Sequence, residues 1–182
     1  MENPVFVRTL STILLLGVTA AFNANADNHT TADNGIDYTF VELRFVDFDG
    51  GDGIEIGGSW RLDEQFYLVG SYQDLDQGPG SFDVLEIGGG YIIPQDKFDI
   101  AIEFTIIDND ADNGFGIAGG GRGNLSPELE ARVFVKHVDV TVTDTFIELG
   151  ADYYFNDKVS IGLTLELSSD FDTLTFGGRY YF

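Results

Sequence analysis

The side chains best suited to chemistry in this 182-residue sequence are carboxylates, and few other reactive groups accompany them. There are 31 Asp and Glu, 9 Lys and Arg, 2 His and no Cys. His137 is the histidine nearest to acids, two residues from Asp139 and close to Asp144. A histidine beside a carboxylate can act as a general base, but a single one is usually an ordinary polar residue. The sequence therefore predicts no enzyme and no cofactor, with catalysis at His137 as a remote alternative.

One acidic segment resembles a metal site. Asp108, Asp110 and Asp112 alternate before Gly114, as oxygen ligands do at the start of a calcium loop. The bidentate acid that completes such a loop is missing, because residues 115–124 hold no carboxylate. We therefore expect an acidic hairpin loop, and these aspartates are a calcium candidate without a predicted metal.

The remaining charges mostly alternate with apolar residues. Glu42 and Arg44 separate Val41, Leu43 and Phe45, and this period of two is that of a strand with one apolar face. No run reaches the roughly 18 apolar residues of a membrane-spanning helix. If the apolar faces contact lipid, the charges point inward. The predicted lumen charge network is Glu42, Arg44, Glu55, Arg61, Glu86, Glu103, Glu130, Arg132, Lys136, Glu148, Asp152, Glu166 and Arg179, with Asp99 and Arg122 on the same face.

The chain also repeats itself. Similar strand–loop–strand–turn units begin near Ile36, Phe66, Phe98, Glu128 and Lys158, about 30 residues apart, which is the length of two membrane strands and their connections. The aromatic residues of one shared register predict a girdle at a membrane interface: Trp60, Tyr91, Tyr153 and Tyr180. The repeat predicts an all-β, transmembrane, antiparallel up-and-down barrel. Ten strands are favoured, and a poorly matching third unit leaves eight open.

The connections differ in composition between the two ends of the predicted strands. Short turns are expected at 63–65, 94–97, 126–127 and 156–158. Longer acidic loops are expected at 47–52, 74–83, 108–114, 138–144 and 168–172. Short turns on one side and long loops on the other are typical of outer-membrane barrels.

The N-terminus reads as an export signal. Arg8 precedes an apolar run, and Ala24 and Ala26 flank a small-x-small cleavage site. The predicted units are therefore a signal peptide over 1–26, a flexible periplasmic tail over 27–35 and a barrel over 36–182.

The last strand carries the family resemblance. Phe176, Tyr180 and Phe182 share one face of an alternating aromatic strand that ends the chain. The sequence thus resembles small bacterial outer-membrane β-barrels, either OmpA/OmpX-like or porin-like. The resemblance implies that the barrel-assembly machinery recognises this strand. It also implies a monomer in the outer membrane of a Gram-negative bacterium, in contact with lipid and lipopolysaccharide.

The function that follows is a choice between two states of the lumen. Buried charges survive when they are paired, so a side-chain-filled interior with acidic external loops is expected, in a structural or surface-interaction role. A narrow cation-preferring porin is the alternative, since acids outnumber bases on the inner face. The formal net charge of −22 argues against a nucleic-acid partner.

Overall fold

Ten long antiparallel strands make up most of the computed structural model, which describes residues 35–141, 143–169 and 172–182. The strands are β1 Phe40–Phe48, β2 Gly51–Arg61, β3 Phe66–Gln77, β4 Gly80–Pro94, β5 Phe98–Asn109, β6 Asn113–Ser126, β7 Leu129–Asp139, β8 Thr143–Asn156, β9 Val159–Leu167 and β10 Asp172–Tyr181. Within the described ranges, no helix is long and apolar enough to cross a membrane.

Each strand pairs with its neighbours in sequence, and β1 pairs with β10, so the sheet closes into an up-and-down barrel. The closing register joins Phe40 to Tyr181 and Phe48 to Thr173. The ten-strand prediction is confirmed, and the eight-strand alternative is wrong.

The barrel is apolar outside and polar inside. The side chains of Leu43, Phe45 and Phe176 are more than half exposed on the outer surface. Glu42 and Arg179, on the intervening positions, are buried in the interior. A soluble protein has the opposite arrangement, with apolar residues inside. Strands that alternate lipid-facing apolar residues with lumen-facing polar residues predict the arrangement seen here.

The two ends of the barrel differ in charge. The end that carries Gly35 and Phe182 has connections at 62–65, 95–97, 127–128 and 157–158, and we call it the terminal end. The opposite end has connections at 49–50, 78–79, 110–112, 140–142 and 168–171, and we call it the acidic end. Its segments, taken as 47–52, 74–83, 108–114, 138–144 and 168–172, contain 13 aspartates and no Lys, Arg or Glu.

The prediction of long loops at the acidic end is wrong, because most of these residues belong to strands. β3 continues to Gln77 and pairs with β4 from Gly80, so residues 74–83 contain a connection of only two residues. Asp and Gly favour turns in isolation, but here the continued ladder satisfies their backbone hydrogen-bonding groups. The barrel wall therefore extends further at this end than the composition indicates.

The barrel wall also begins later than predicted. β1 starts at Phe40, and residues 35–39 turn into the interior instead of extending the strand. The predicted signal peptide, its residues Ala24 and Ala26, and the tail up to residue 34 lie outside the described residues.

Candidate lumenal site

An arginine–carboxylate network crosses the middle of the lumen. Its members are Arg44, Arg132, Arg179, Glu42, Glu55, Glu148 and Asp152. Glu42 bonds both Arg44 and Arg179, the latter through Nε donating to Oε2 over 2.7 Å. Asp152 bonds both Arg179, over 2.9 Å to Nη1, and Arg132. Sharing each carboxylate between two guanidinium groups offsets the cost of burying all of these charges.

A second buried pair lies towards the terminal end. Arg122 donates from Nε to Glu130 Oε1 and from Nη2 to Glu130 Oε2, both over 2.9 Å. The Tyr154 hydroxyl donates to Glu130 Oε2 over 2.9 Å, and the Tyr181 hydroxyl donates to Tyr154 over 3.2 Å. Two-point pairing fixes the guanidinium orientation as well as neutralising the acid.

The segment 35–39, which we call the plug, enters the lumen beside this pair. Ile36 and Tyr38 are 0% and 1% exposed. The Tyr38 ring packs against Tyr67, with centroids 4.8 Å apart, and against the Arg122 guanidinium, 4.3 Å from Cζ to the ring centroid. Arg122 Nη2 also donates to the Asp37 carbonyl over 3.2 Å. The plug is therefore held by both apolar contact and a cation.

Apolar inward side chains complete the filling of the terminal end. They form a single cluster with the plug: Ile36, Tyr38, Tyr67, Ile92, Ala101, Ala118 and Phe134, with Val69 against it. These residues come from β3, β4, β5, β6 and β7, so the cluster spans one half of the barrel circumference. Side chains alone thus fill this part of the lumen, as is usual in barrels of this size.

Above the cluster lies a cavity of about 650 Å³. Its lining begins at Tyr38, Phe40 and Tyr67, which form the floor, and reaches the acidic end at Asp49 and Asp144. Residues beyond the floor, such as Ser160, are fully buried. The lumen of the described residues is therefore a cup that opens at the acidic end.

The charges that line the cup do not balance. Eight carboxylates and five bases face it. Lys136 donates to Glu86 Oε2 over 2.8 Å. Among the described residues, Glu103 has no ion pair and accepts a hydrogen bond only from the Tyr67 hydroxyl, over 2.5 Å. Glu166 receives no hydrogen bond or ion pair from any described residue. Glu103 and Glu166 are thus carboxylates of the cup without a cation of their own.

One predicted member of the charge network lies elsewhere. Arg61 is at the terminal end, where Nε donates to the Asp63 carbonyl over 2.9 Å and Nη2 donates to the Glu64 carbonyl over 2.8 Å. It therefore caps the 62–65 connection. Arg61 lies at the end of β2, where carbonyls and not carboxylates are within reach. The other predicted lumen residues line the interior.

The structure does not bring His137 together with a carboxylate. His137 pairs across the ladder with outward-facing Ile117, and its Nδ1 lies 2.9 Å from Thr145 Oγ1. Asp139 accepts from Thr143 Oγ1 instead, and Asp144 lines the cup. The histidine is thus on the outer surface, and its hydrogen bond goes to a threonine and not to either neighbouring acid.

The calcium candidate is not assembled either. Asp110 accepts from the backbone N–H of Asp83, and Asp108 is paired with Leu85 on the outward register of β5. Among the described residues no three acid, His or Cys side chains are arranged to hold a metal ion.

The plug was missed in the sequence, although a signal for it was present. Ile36, Tyr38 and Phe40 share the parity of Glu42 and Arg44, which face inward. Apolar residues on the inward parity must pack against something inside the barrel. The same reasoning accounts for β3, which carries apolar residues on both faces, such as buried Tyr67 and exposed Leu68.

Comparison with known proteins places the fold. No protein-family model matches the sequence, and no curated protein sequence matches it significantly. A solved structure of the KdgM porin in complex with disordered oligogalacturonate is similar, with 16% identity, a TM-score of 0.56, and 79% of this chain and 99% of that chain covered. The COG4313 outer membrane channel from Pseudomonas putida F1 has 9% identity, a TM-score of 0.53 and coverage of 87% and 100%.

A solved structure from the de novo design of transmembrane β-barrels is also similar, with 15% identity, a TM-score of 0.50, and 81% of this chain and 98% of that chain covered. At these identities the likeness concerns the fold. The chain has the porin-like fold of outer-membrane β-barrels, as the sequence predicted. The OmpA/OmpX-like part of that resemblance stays a prediction.

Proposed function

We propose that the chain is an integral outer-membrane barrel whose lumen is closed to through-flow at the terminal end. The observation that carries this is the plug: Tyr38 is fully buried between Tyr67 and Arg122 at the floor of the cup. Its role is then that of a structural or surface-facing protein that presents a cup, without an open diffusion path.

The outer surface supports membrane insertion in a defined direction. Trp60, Tyr91, Tyr153 and Tyr180 are all exposed near the terminal end, where aromatic residues favour the membrane–water interface. Both ends of the described chain lie on this side, so we assign it to the periplasm. The acidic end, and with it the mouth of the cup, then faces the cell exterior.

Partners of the barrel follow from this placement. Lipid and lipopolysaccharide would cover the apolar belt, and the barrel-assembly machinery would read the strand with Phe176, Tyr180 and Phe182. Phe176 and Tyr180 are exposed on the outer face, and Tyr180 packs edge-on to Phe182 with ring centroids 5.4 Å apart. A monomer is proposed, because the barrel closes without a second chain.

A narrow cation-preferring channel is the second candidate. The 13 aspartates at the acidic end and the unpaired Glu103 and Glu166 favour it, because fixed negative charge raises the local concentration of cations. Conduction would require the plug to leave the lumen. Its departure would expose Ile36 and Tyr38 to water and remove the ring that covers Arg122.

Conductance in a planar bilayer tests the closure. We expect the full chain to be silent, and the variant I36S/Y38S to give discrete, cation-selective steps because the apolar seal is lost. Y153S is the matched control, since it removes an aromatic from the outside of the same end, and it should stay silent. Steps of equal size and frequency in the unaltered chain and in I36S/Y38S would contradict the closure and favour the channel.

A further inference from the structure

We propose that the cup is a binding site for an organic cation of the diamine class, with two ammonium groups joined by an apolar chain. This inference rests on the proposed closure, because the floor at Tyr38 makes the lumen a pocket with one opening. It adds a ligand that the fold alone does not indicate.

The electrostatic part of the argument concerns Lys136. This one ammonium group faces four carboxylates of the cup, namely Glu86, Glu103, Glu148 and Glu166. It bonds only Glu86, and Glu148 is bonded by Arg132 over 2.7 Å. Glu103 and Glu166 are then left without a bonded base among the described residues, inside a low-dielectric wall, where attraction between a carboxylate and a cation is much stronger than at an exposed surface.

The guanidinium groups of the cup are already occupied. Arg44 and Arg179 share Glu42, and Arg132 is bonded by Glu148 and Asp152. An anionic ligand would have to compete with these carboxylates and would be repelled by the aspartates at the mouth. The excess of carboxylates over bases on the wall of the cup therefore favours cations over anions.

The shape of the cup selects an organic ligand over a bare ion. Its volume of about 650 Å³ is within the usual range for small-molecule pockets. Apolar side chains share its wall with the charges: Val46, Phe82, Val84, Ile107, Phe134 and Phe146. Within the described part of the chain no group of three acids is arranged around one point for a metal ion. A wall that carries two carboxylates without a base of their own together with apolar side chains matches two ammonium groups on a hydrocarbon chain.

A second observation points to a missing partner. Ser59 lines the cup, is 8% exposed, and its Oγ has no hydrogen-bond partner in the part of the chain that the structure describes. A buried hydroxyl without a partner is uncommon, and leaving it so costs free energy. An amino group of a ligand that reaches the floor would satisfy it.

Isothermal titration calorimetry of the detergent-solubilised full chain with cadaverine tests the site. We expect saturable one-site binding, and no binding of 1,5-pentanediol, which has the same length without charge. E103Q/E166Q should bind cadaverine about tenfold or more weakly, as loss of a buried charged partner usually does. D52N/D76N removes two charges from the outer face of the acidic end and is the matched control, with affinity expected to change less than about twofold.

Three results would overturn the site: no cadaverine binding to the unaltered chain, equal affinity in E103Q/E166Q, or an equal loss in both double variants, which would mean surface attraction only. Unheated electrophoretic mobility checks that each variant is folded. If E103Q/E166Q does not fold, E166Q alone replaces it, because Glu166 makes no bond that the substitution breaks, and an unchanged affinity in E166Q overturns the site.

Conductance of the same preparation separates this inference from the closure. Cadaverine binding to a conducting barrel would uphold the site and overturn the closure. A silent barrel that does not bind cadaverine would overturn the site alone.

Discussion

At the level of single residues, most carboxylates of the lumen are paired with one or two basic side chains, and a few have no basic partner among the described residues. Glu42 and Asp152 each serve two arginines, and Glu130 receives both a guanidinium and a tyrosine hydroxyl. Removing one member leaves its partner buried and charged. The basic residues of the lumen therefore stabilise the barrel by neutralising buried carboxylates.

Arg122 gives the sharpest test of this view. R122M should lower the free energy of unfolding by about 3–5 kcal/mol, because Glu130 would remain buried without its cation. The double variant R122M/E130Q should lose less than R122M, since no uncompensated charge is left. The loss is measured as the shift of the urea midpoint, read from the mobility difference between folded and unfolded barrel.

R61M is the control for R122M, since the Arg61 guanidinium bonds backbone carbonyls at a connection and no carboxylate. Its loss should be well below that of R122M. Equal losses in the two variants would mean that buried pairing is not what makes Arg122 important.

At the scale of the strand, glycines set how closely inward side chains approach the barrel wall. A Cβ built on Gly150 of β8 would lie 2.6 Å from Nε and Cζ of Arg132, which β7 places directly opposite. Arg132 cannot move aside without losing Glu148 and Asp152. Glycine therefore provides room for the guanidinium here, beyond its role in curving the sheet.

G150A should lower the free energy of unfolding by about 1–3 kcal/mol, the usual effect of overpacking. G119A, in β6, is the matched control, because an added Cβ there meets nothing within 4 Å. It should be neutral or slightly stabilising, since alanine loses less backbone entropy than glycine. Urea midpoints of both variants check this, and equal midpoints would show that Arg132 moves aside freely.

The strands were more predictable than their ends. Alternation identifies which face of β1, β5 and β9 is apolar, because lipid and lumen demand opposite polarity at every second residue. The extent of the strands at the acidic end was not predictable from Asp and Gly composition, because the partner strand decides whether such residues stay in the ladder. Ladder pairing is non-local, and single-segment composition does not report it.

The burial of the plug in the lumen was not predictable for a similar reason. The inward parity of Ile36 and Tyr38 is local, but their burial depends on Tyr67, Ile92 and Phe134 from other strands. The charged residues of the lumen were identified by parity, whereas their pairing was not. Alternation along a strand determines which face of the sheet each residue lies on. The stagger of the ten tilted strands determines which charged residues form pairs across the lumen.

At the scale of the whole molecule, the barrel is asymmetric along its axis. The terminal end is filled by the plug, aromatic residues and the Arg122–Glu130 pair. The acidic end is open, bears 13 aspartates and leads into the cup. If the lumen is closed as proposed, small solutes that enter from the acidic end reach Tyr38 and stop.

The absence of cysteine from the chain allows a direct measurement of this asymmetry. A single cysteine can be placed in the cup, as Gln73→Cys, or beyond the floor, as Ser160→Cys. Gln73 lines the cavity, and Ser160 is 0% exposed. Cysteine is smaller than Gln73 and similar in size to Ser160, so neither substitution overpacks the inner face.

The decisive experiment is labelling of both variants on intact cells with a membrane-impermeant maleimide. We expect Gln73→Cys to react from outside and Ser160→Cys to react only after the barrel is unfolded. Reaction of Ser160→Cys in intact cells at the rate of Gln73→Cys would mean that the lumen is open past the floor, and would contradict the closure.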